Sequence, residues 1–290
     1  MKKIYLNLKR FDVTPEKGGV NRIAKFNNWA DFIVTNTKDD LKAFNDKAKF
    51  TMFFPEVHIL SAANANDGTI NIGCQSVNES DTAVGSNFGA FTTLRPANAM
   101  VLAGANTALV GHCEERNYYK NILSQAGVTD LSIVNKFFNQ KVHAAINAGL
   151  DVLYCIGETS EEQSDFEAVL KTQLELGLKD ADLSKITIAY EPVWSIGPGK
   201  TPADKPYITK IAQYVKTLLP DTDIVYGGGL KEDNAKMLAS IPEISGGLIA
   251  LTRFSGEIGF YPNEYIQIIK TYLSPVISLA CKGIITDAEG

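Results

Sequence analysis

Eight short runs of apolar, often β-branched residues recur along the chain, and most are followed by turn residues and a stretch with helical spacing. The runs are residues 4–7, 51–54, 70–75, 107–110, 151–156, 187–191, 224–226 and 247–251. Each is nearly continuously hydrophobic rather than alternating, which is typical of strands that are covered on both faces. Strands that alternate with helices in this way predict an α/β fold with a parallel sheet.

The number of strand–helix units narrows the fold further. Helical spacing is clearest in residues 166–178, 207–219, 231–240 and 263–273. Eight units in about 250 residues is the count of a closed (β/α)₈ barrel. A doubly wound open sheet usually has fewer strands and a glycine fingerprint after the first one, where this chain has Leu8 and Lys9. The pattern therefore predicts the closed barrel.

The length of the chain, 290 residues, allows one large domain or two of medium size at about 150 residues per domain. No internal repeat and no low-complexity linker divides the sequence, so we predict a single domain over residues 1–290. The length beyond a minimal barrel lies in residues 11–40 after the first strand, residues 117–131 after the fourth, and a C-terminal tail of residues 274–290.

Composition excludes several classes of protein. Apolar residues make up 45% and charged residues 21% of the chain, which is enough for a sizeable core and argues against disorder. The formal net charge is −5 and no basic run stands out, so neither nucleic acid nor a membrane surface is expected as a partner. A small anion could still bind in a local pocket.

The sequence shows few features that indicate targeting, a membrane span or a cysteine-based site. No apolar core of a signal peptide follows the basic start, and no window of about 18 apolar residues predicts a membrane span. Cys74, Cys113, Cys155 and Cys281 are too far apart for a disulfide scaffold and have no metal-ligand spacing. We therefore expect a reduced, cytoplasmic protein.

Chemistry in a (β/α)₈ barrel lies at the carboxyl ends of the strands. The first strand ends at Asn7 and Lys9, the fourth leads into His112, the sixth ends at Glu191, and the seventh leads into glycines 227–229. A single lysine or histidine in a loop is usually solvated or structural, and a glycine run can be an ordinary turn. Backbone N–H groups near a helix start can also hold a phosphate, and all these features share one mouth of the barrel.

Two other interpretations, a phosphate-binding loop and a metal site, do not match the sequence. Gly199-Lys200-Thr201 looks like the end of a phosphate-binding loop, but the earlier glycine position is Trp194 and Pro198 interrupts the motif. One histidine with scattered carboxylates gives no metal-ligand pair at helix or strand spacing. The sequence therefore predicts neither a phosphate-binding loop nor a metal site.

Five motifs, in order and at compatible spacing, resemble the triose-phosphate isomerase family. They are Asn7-x-Lys9, Val110-Gly111-His112-x-Glu114, Cys155-Ile156-Gly157-Glu158, Ala189-Tyr190-Glu191-Pro192-Val193-Trp194-x-Ile196-Gly197-x-Gly199-Lys200-Thr201 and Tyr226-Gly227-Gly228. The resemblance weakens in residues 11–49, in residues 117–132 and after about residue 250. It implies a TIM barrel and cofactor-free isomerisation of dihydroxyacetone phosphate and D-glyceraldehyde 3-phosphate.

The resemblance also implies a role for each site residue. Glu191 is expected to be the base that moves a proton between C1 and C2, and neutral His112 to polarise the carbonyl. Lys9 would supply positive charge and Asn7 would help to hold the oxyanion. Residues 192–200 resemble a lid whose Gly197 N–H reaches the phosphate on closure, and Gly228 and Gly229 would complete the phosphate site.

Several positions depart from the family pattern. The usual serine after the histidine is Cys113, the usual serine after the Tyr-Gly-Gly motif is Gly229, and the glycine pair after strand eight is Leu251-Thr252. Either Arg253 replaces backbone donors at the phosphate, or the substrate is another small sugar phosphate, such as a tetrulose phosphate. A third reading is a catalytically silent barrel with a binding role, against which the retention of lysine, histidine and glutamate counts.

The resemblance also implies that two copies of the chain associate. Residues 89–92 resemble the end of the family's long third loop, which inserts into a partner subunit, and a homodimer is therefore expected. The family's acidic residue after this loop and its arginine after the histidine are replaced here by Leu94 and Glu115. Arg95 and Glu115 could form a reversed pair across that interface.

Overall fold

Eight parallel strands close into a barrel in which each strand pairs with the next and the eighth pairs with the first. The computed structural model describes residues 1–197 and 199–275. The strands are β1 (Lys2–Asn7), β2 (Ala48–Phe54), β3 (Ile70–Cys74), β4 (Thr107–Val110), β5 (Asp151–Ile156), β6 (Ile186–Tyr190), β7 (Ile224–Tyr226) and β8 (Ile244–Ile249). The predicted closed (β/α)₈ barrel is confirmed.

The strands are mostly apolar because both of their faces are buried along most of their length, with charged residues such as Lys49 and Asp151 only near their first ends. Side chains that point inward, including Phe53, Leu109, Leu153 and Val225, form a separate cluster inside the barrel. Their neighbours in sequence belong to a larger cluster between the strands and the helices, as Tyr154 does. Alternate residues of a strand point to opposite faces, so this two-sided burial requires the continuous hydrophobic runs seen in the sequence.

Helices cover the outside of the barrel. They are α1 (Trp29–Thr35), α2 (Lys38–Lys42), α3 (Glu56–Ala65), α4 (Ala97–Leu102), α5 (Cys113–Gln125), α6 (Val134–Asn147), α7 (Phe166–Gly177), α8 (Lys205–Leu218), α9 (Glu232–Ala239) and α10 (Pro262–Leu273). The extra length after β1 contains α1 and α2, and the extra length after β4 forms α5. No helix in residues 1–197 and 199–275 has the length and apolar character needed to cross a bilayer.

The end of the last strand was predicted wrongly. β8 ends at Ile249 rather than at residue 251, because the chain leaves the sheet there and turns back on itself. The N–H groups of Thr252 and Arg253 both donate to the carbonyl of Gly259, at 3.0 and 3.1 Å. Residues 250–261 thus form a long loop after β8 that the sequence did not predict.

The single-domain assignment of residues 1–290 stays a prediction. The tail of residues 274–290 lies, from residue 276 onward, outside the described residues, and so do Cys281 and Pro198.

Candidate active site

Asn7 and Lys9 occupy the turn in which β1 ends. The Asn7 side-chain oxygen accepts hydrogen bonds from the backbone N–H of Lys9 at 3.2 Å and from Nε2 of Gln75 at 3.0 Å. Lys9 has a positive φ of 27°, a conformation that this turn supports. Its Nζ donates to Glu114 at 2.6 Å. Asn7 is therefore buried and fixed, whereas Lys9 carries a charge that is only partly enclosed.

His112 is the N-cap of α5, and this position orients its ring. Its Nδ1 accepts the N–H of Glu114 at 3.3 Å, so the proton of a neutral imidazole lies on Nε2. Nε2 in turn lies 3.3 Å from Oε1 of Glu191. In this tautomer the N–H of the imidazole is on the side of the ring that faces Glu191.

Glu191 follows β6 and is buried against α5. Its Oε2 accepts the backbone N–H of Cys113 at 2.9 Å, while its buried Oε1 makes no hydrogen bond to any part of the chain that the structure describes. A Cβ at residue 227 would lie 2.7 Å from Cγ of Glu191 and 2.9 Å from the Tyr190 carbonyl. Glycine at 227 is therefore required by the position of this carboxylate.

Cys113 borders the same carboxylate with its side chain. Its Sγ lies 3.9 Å from Nδ1 of His112. Burial, and to a smaller extent the negative charge of Glu191, raises the pKa of the Cys113 thiol well above its ordinary value. The thiol is therefore protonated at neutral pH.

A cavity of about 170 Å³ lies beside these side chains. Its lining includes Asn7, Lys9 and His112, together with Gln75 and Arg95, and Glu191 contacts its histidine. Four residues that are far apart in sequence, Asn7, Lys9, His112 and Glu191, are thus brought together as the sequence predicted.

The base of the predicted lid is anchored by Glu158, to which the sequence assigned no role. Its Oε1 accepts from Tyr190 Oη at 2.9 Å, Trp194 Nε1 at 2.8 Å and Tyr207 Oη at 3.0 Å. Burial raises the pKa of the Glu158 carboxyl, and the three donors oppose this rise. The available signal was its position at the end of the β5 motif.

The predicted phosphate-binding side of the cavity has glycine at two positions where the backbone φ is positive. Gly197 and Gly229 have φ values of +114° and +98°, which favour glycine. The N–H groups of Gly228 and Gly229 make no hydrogen bond within residues 1–197 and 199–275, so they are available to a ligand. The N–H of Thr252, by contrast, is already bonded to the loop after β8.

Arg253 contacts residues of that loop and of the start of α10. Its guanidinium forms an ion pair with Glu264, in which Nε donates to Oε1 at 3.1 Å, and stacks 4.1 Å above the ring of Tyr261. Within residues 1–197 and 199–275, its side-chain contacts are with Glu257, Glu264 and Tyr261, none of which is a predicted site residue. A phosphate contact through Arg253 would require this ion pair to open.

Glu115 is likewise engaged within its own chain. It accepts from the N–H of Gly111 at 2.8 Å and from Nζ of the buried Lys141 at 2.9 Å. Arg95 instead lies 3.9 Å from Glu56. Both residues thus have partners within this chain, and the reversed Arg95–Glu115 pair across a subunit interface stays a prediction.

A closed barrel with a carboxylate, an imidazole and an amine at the carboxyl ends of its strands defines a (β/α)₈-barrel enzyme. The family model for triosephosphate isomerase matches residues 24–270, and the chain belongs to that family, whose members are isomerases.

Individual relatives support this placement. A triosephosphate isomerase of Geobacter metallireducens is 42% identical over 175 residues, which cover 56% of this chain and 64% of that protein. One of Mesomycoplasma hyorhinis is 30% identical over 229 residues, which cover 74% and 86%. The solved triosephosphate isomerase of Bartonella henselae matches with a TM-score of 0.67 at 24% identity, covering 94% of this chain and 99% of that one, and supports the fold.

Proposed function

We propose that this chain interconverts dihydroxyacetone phosphate and D-glyceraldehyde 3-phosphate by proton transfer through an enediolate. The observation that carries the proposal is the buried, unpartnered Oε1 of Glu191, 3.3 Å from Nε2 of His112. A base and a neutral hydrogen-bond donor side by side are what proton transfer next to a carbonyl requires.

Glu191 acts as the base. A carboxylate oxygen that is shielded from water and holds no hydrogen bond is free to take the C1 proton and return it at C2. Its second oxygen is held by the Cys113 N–H, so the carboxylate is oriented while Oε1 reacts. The step needs no electron acceptor, because the proton leaves one carbon and returns to its neighbour.

His112 and the β1 turn stabilise the developing charge. The Nε2–H of His112 donates to the substrate oxygen and carries protons between the two enediolate oxygens. The amide of Asn7 and the ammonium of Lys9 also line the cavity. Lys9 must exchange its contact with Glu114 for one with the substrate, which is feasible because the pair is partly exposed.

The phosphate is held by backbone groups. We place it at the N–H groups of Gly228 and Gly229, joined by Gly197 when the lid of residues 192–200 closes. Lid closure excludes water and protects the enediolate from losing its phosphate. The Trp194 contact to Glu158 provides the fixed end about which the lid moves.

A second candidate substrate is a four-carbon ketose phosphate. It is favoured by the loop of residues 250–261, which uses the Thr252 N–H and gives this rim a different shape. A coupled assay on glyceraldehyde 3-phosphate and on a tetrulose phosphate distinguishes the two candidate substrates. Glu191→Asp is the control, because it keeps a carboxylate but moves it away from the substrate by one methylene group. Greater kcat/KM for the three-carbon substrate supports the proposal. Greater kcat/KM for the four-carbon substrate favours the second candidate, and no turnover of either indicates a silent barrel.

We further propose that the chain forms a homodimer through residues 75–96. This segment exposes the large apolar side chains Val84, Phe88 and Leu94, which a second copy would cover. Sedimentation velocity should show a dimer in wild type, and Phe88→Asp should shift the population toward monomer. A wild-type monomer at micromolar concentration would contradict the proposal.

We also propose that the protein is located in the cytoplasm. Cys74, Cys113 and Cys155 are free thiols, as expected for a reducing compartment. Cell fractionation with a marker for each compartment tests this assignment.

A further inference from the structure

The fold assembles a set of metal ligands that no spacing in the sequence indicated. One donor atom from each of His112, Cys113 and Glu191 lies within 4.8 Å of the other two. An imidazole, a thiolate and a carboxylate are ligands that zinc binds in tetrahedral sites. The β6 end supplies one ligand and the start of α5 the other two, so only the tertiary structure brings them together.

A second observation points to a ligand at this position. Oε1 of Glu191 is buried and makes no hydrogen bond within the part of the chain that the structure describes. It lies 3.3 Å from Nε2 of His112, whereas the cysteine sulfur lies 3.9 Å from the other ring nitrogen, Nδ1. Tetrahedral zinc with bonds of about 2.0–2.3 Å places its ligand atoms roughly 3.3–3.8 Å apart. Because the three donor atoms lie within 4.8 Å of one another, shifts of about 1 Å would bring them to these separations.

We propose that His112, Cys113 and Glu191 form an inhibitory site for a zinc-like divalent cation, with water as the fourth ligand. Coordination transfers the thiol proton of Cys113 to the buffer. When Nε2 is the ligand, the ring proton moves to Nδ1, which gives up its hydrogen bond from the Glu114 N–H. No redox change occurs. The cation binds Oε1 of Glu191, the proposed base, and a ring nitrogen of His112, the proposed electrophile. Both groups are then blocked, so the cation competes with substrate. The inhibition rests on the proposed isomerase function, but metal binding itself does not.

Cobalt(II) tests binding independently of catalysis. Titration of metal-free protein with Co²⁺ should produce a near-ultraviolet thiolate-to-cobalt charge-transfer band that saturates at one metal per chain. Cys113→Ser should abolish this band, and Glu191→Gln should weaken cobalt binding at least tenfold. His143→Gln on α6, whose ring contacts the Lys179 carbonyl outside the site, is the matched control and should bind as wild type does.

Circular dichroism checks that each variant is folded, and the Glu191 variant provides the test if the cysteine variant is not. A band that persists in folded Cys113→Ser, or the absence of any band in wild type, overturns the site.

Inhibition is measured with zinc. Zinc should inhibit the isomerase at about one equivalent, a chelator should restore the rate, and equimolar Mg²⁺ should have no effect because it avoids thiolate. Cys113→Ser should need at least tenfold more zinc, with each rate taken relative to the same variant without metal. Equal sensitivity of both proteins overturns the inhibitory role. If the wild type proves not to be an isomerase, the cobalt titration still decides whether the metal site exists.

Discussion

Glu191 accepts the backbone N–H of Cys113 at 2.9 Å, so the helix N-terminus that orients His112 also holds the carboxylate beside it. The first turn of α5 thus fixes both partners of the proposed proton transfer. A side chain that alters this turn or displaces Glu191 should affect catalysis more than folding.

Removing the negative charge of Glu191 should remove the base. We expect Glu191→Gln to lower kcat at least about 100-fold, with an unchanged circular dichroism spectrum, because the amide keeps the shape of the carboxyl group. Glu175→Gln, on the exposed surface of α7, should keep wild-type kcat. Exchange of the C1 proton with deuterated water at an appreciable rate in Glu191→Gln would contradict the role of this residue.

The glycine beside the carboxylate offers a steric test. Alanine at 227 would place its Cβ 2.7 Å from Cγ of Glu191, so the side chain must move. We expect Gly227→Ala to lower kcat roughly 10- to 100-fold, as is typical of a misplaced catalytic group. Gly149→Ala is the control, since residue 149 has a positive φ but no atom within 4 Å of a new Cβ. It should lose stability and keep kcat, and an equal loss of kcat in both variants would refute the steric argument.

Burial on both faces explains which parts of the fold the sequence could predict. Thr107–Val110, Asp151–Ile156 and Ile224–Tyr226 match their predicted bounds, because packing on both sides requires a nearly continuous run of buried, mostly apolar residues. The end of β8 was missed because Leu251 continues the apolar pattern. The strand ends because two backbone N–H groups donate to Gly259 instead. Backbone hydrogen bonds do not depend on the type of residue, so the sequence does not show them.

The same distinction applies to the site. Asn7, Lys9, His112 and Glu191 could be predicted because reactive side chains at strand ends share one rim. The Cys113 N–H that holds Glu191 is a backbone group, which any residue except proline would supply. The partner of Arg253 was also missed, since the loop that brings it to Glu264 depends on tertiary structure.

The buried ion pair beneath the site should contribute strongly to stability. Lys141 Nζ lies 2.9 Å from Glu115 and 3.7 Å from Glu79, and its side chain is only 6% exposed. Lys141→Met leaves these carboxylates without a cation, and we expect the free energy of unfolding to fall by about 3–5 kcal/mol. Urea denaturation measures this change.

The control for that experiment is Lys171→Met. Lys171 pairs with Glu175 at 3.7 Å on the exposed face of α7, where removal of one partner should change the free energy of unfolding by less than about 1 kcal/mol. Similar losses in the two variants would show that burial does not strengthen the Lys141 pair.

Glu158 should make stability depend on pH in a predictable direction. Burial raises the pKa of its carboxyl in the folded protein above the ordinary value of 4.5, so the folded state binds more protons than the unfolded state between these two pKa values. Stability must then fall as pH rises through that window. Glu158→Gln keeps an oxygen acceptor for Trp194 and cannot ionise, so this contribution to the pH dependence disappears.

The measurement is the free energy of unfolding of wild type minus that of Glu158→Gln, taken from urea denaturation at intervals between about pH 4.5 and 8. We expect this difference to become steadily less favourable to wild type as pH rises. It should then level off once Glu158 is ionised in both states. A constant difference, or one that grows in favour of wild type with pH, would show that the three donors outweigh burial at this carboxyl.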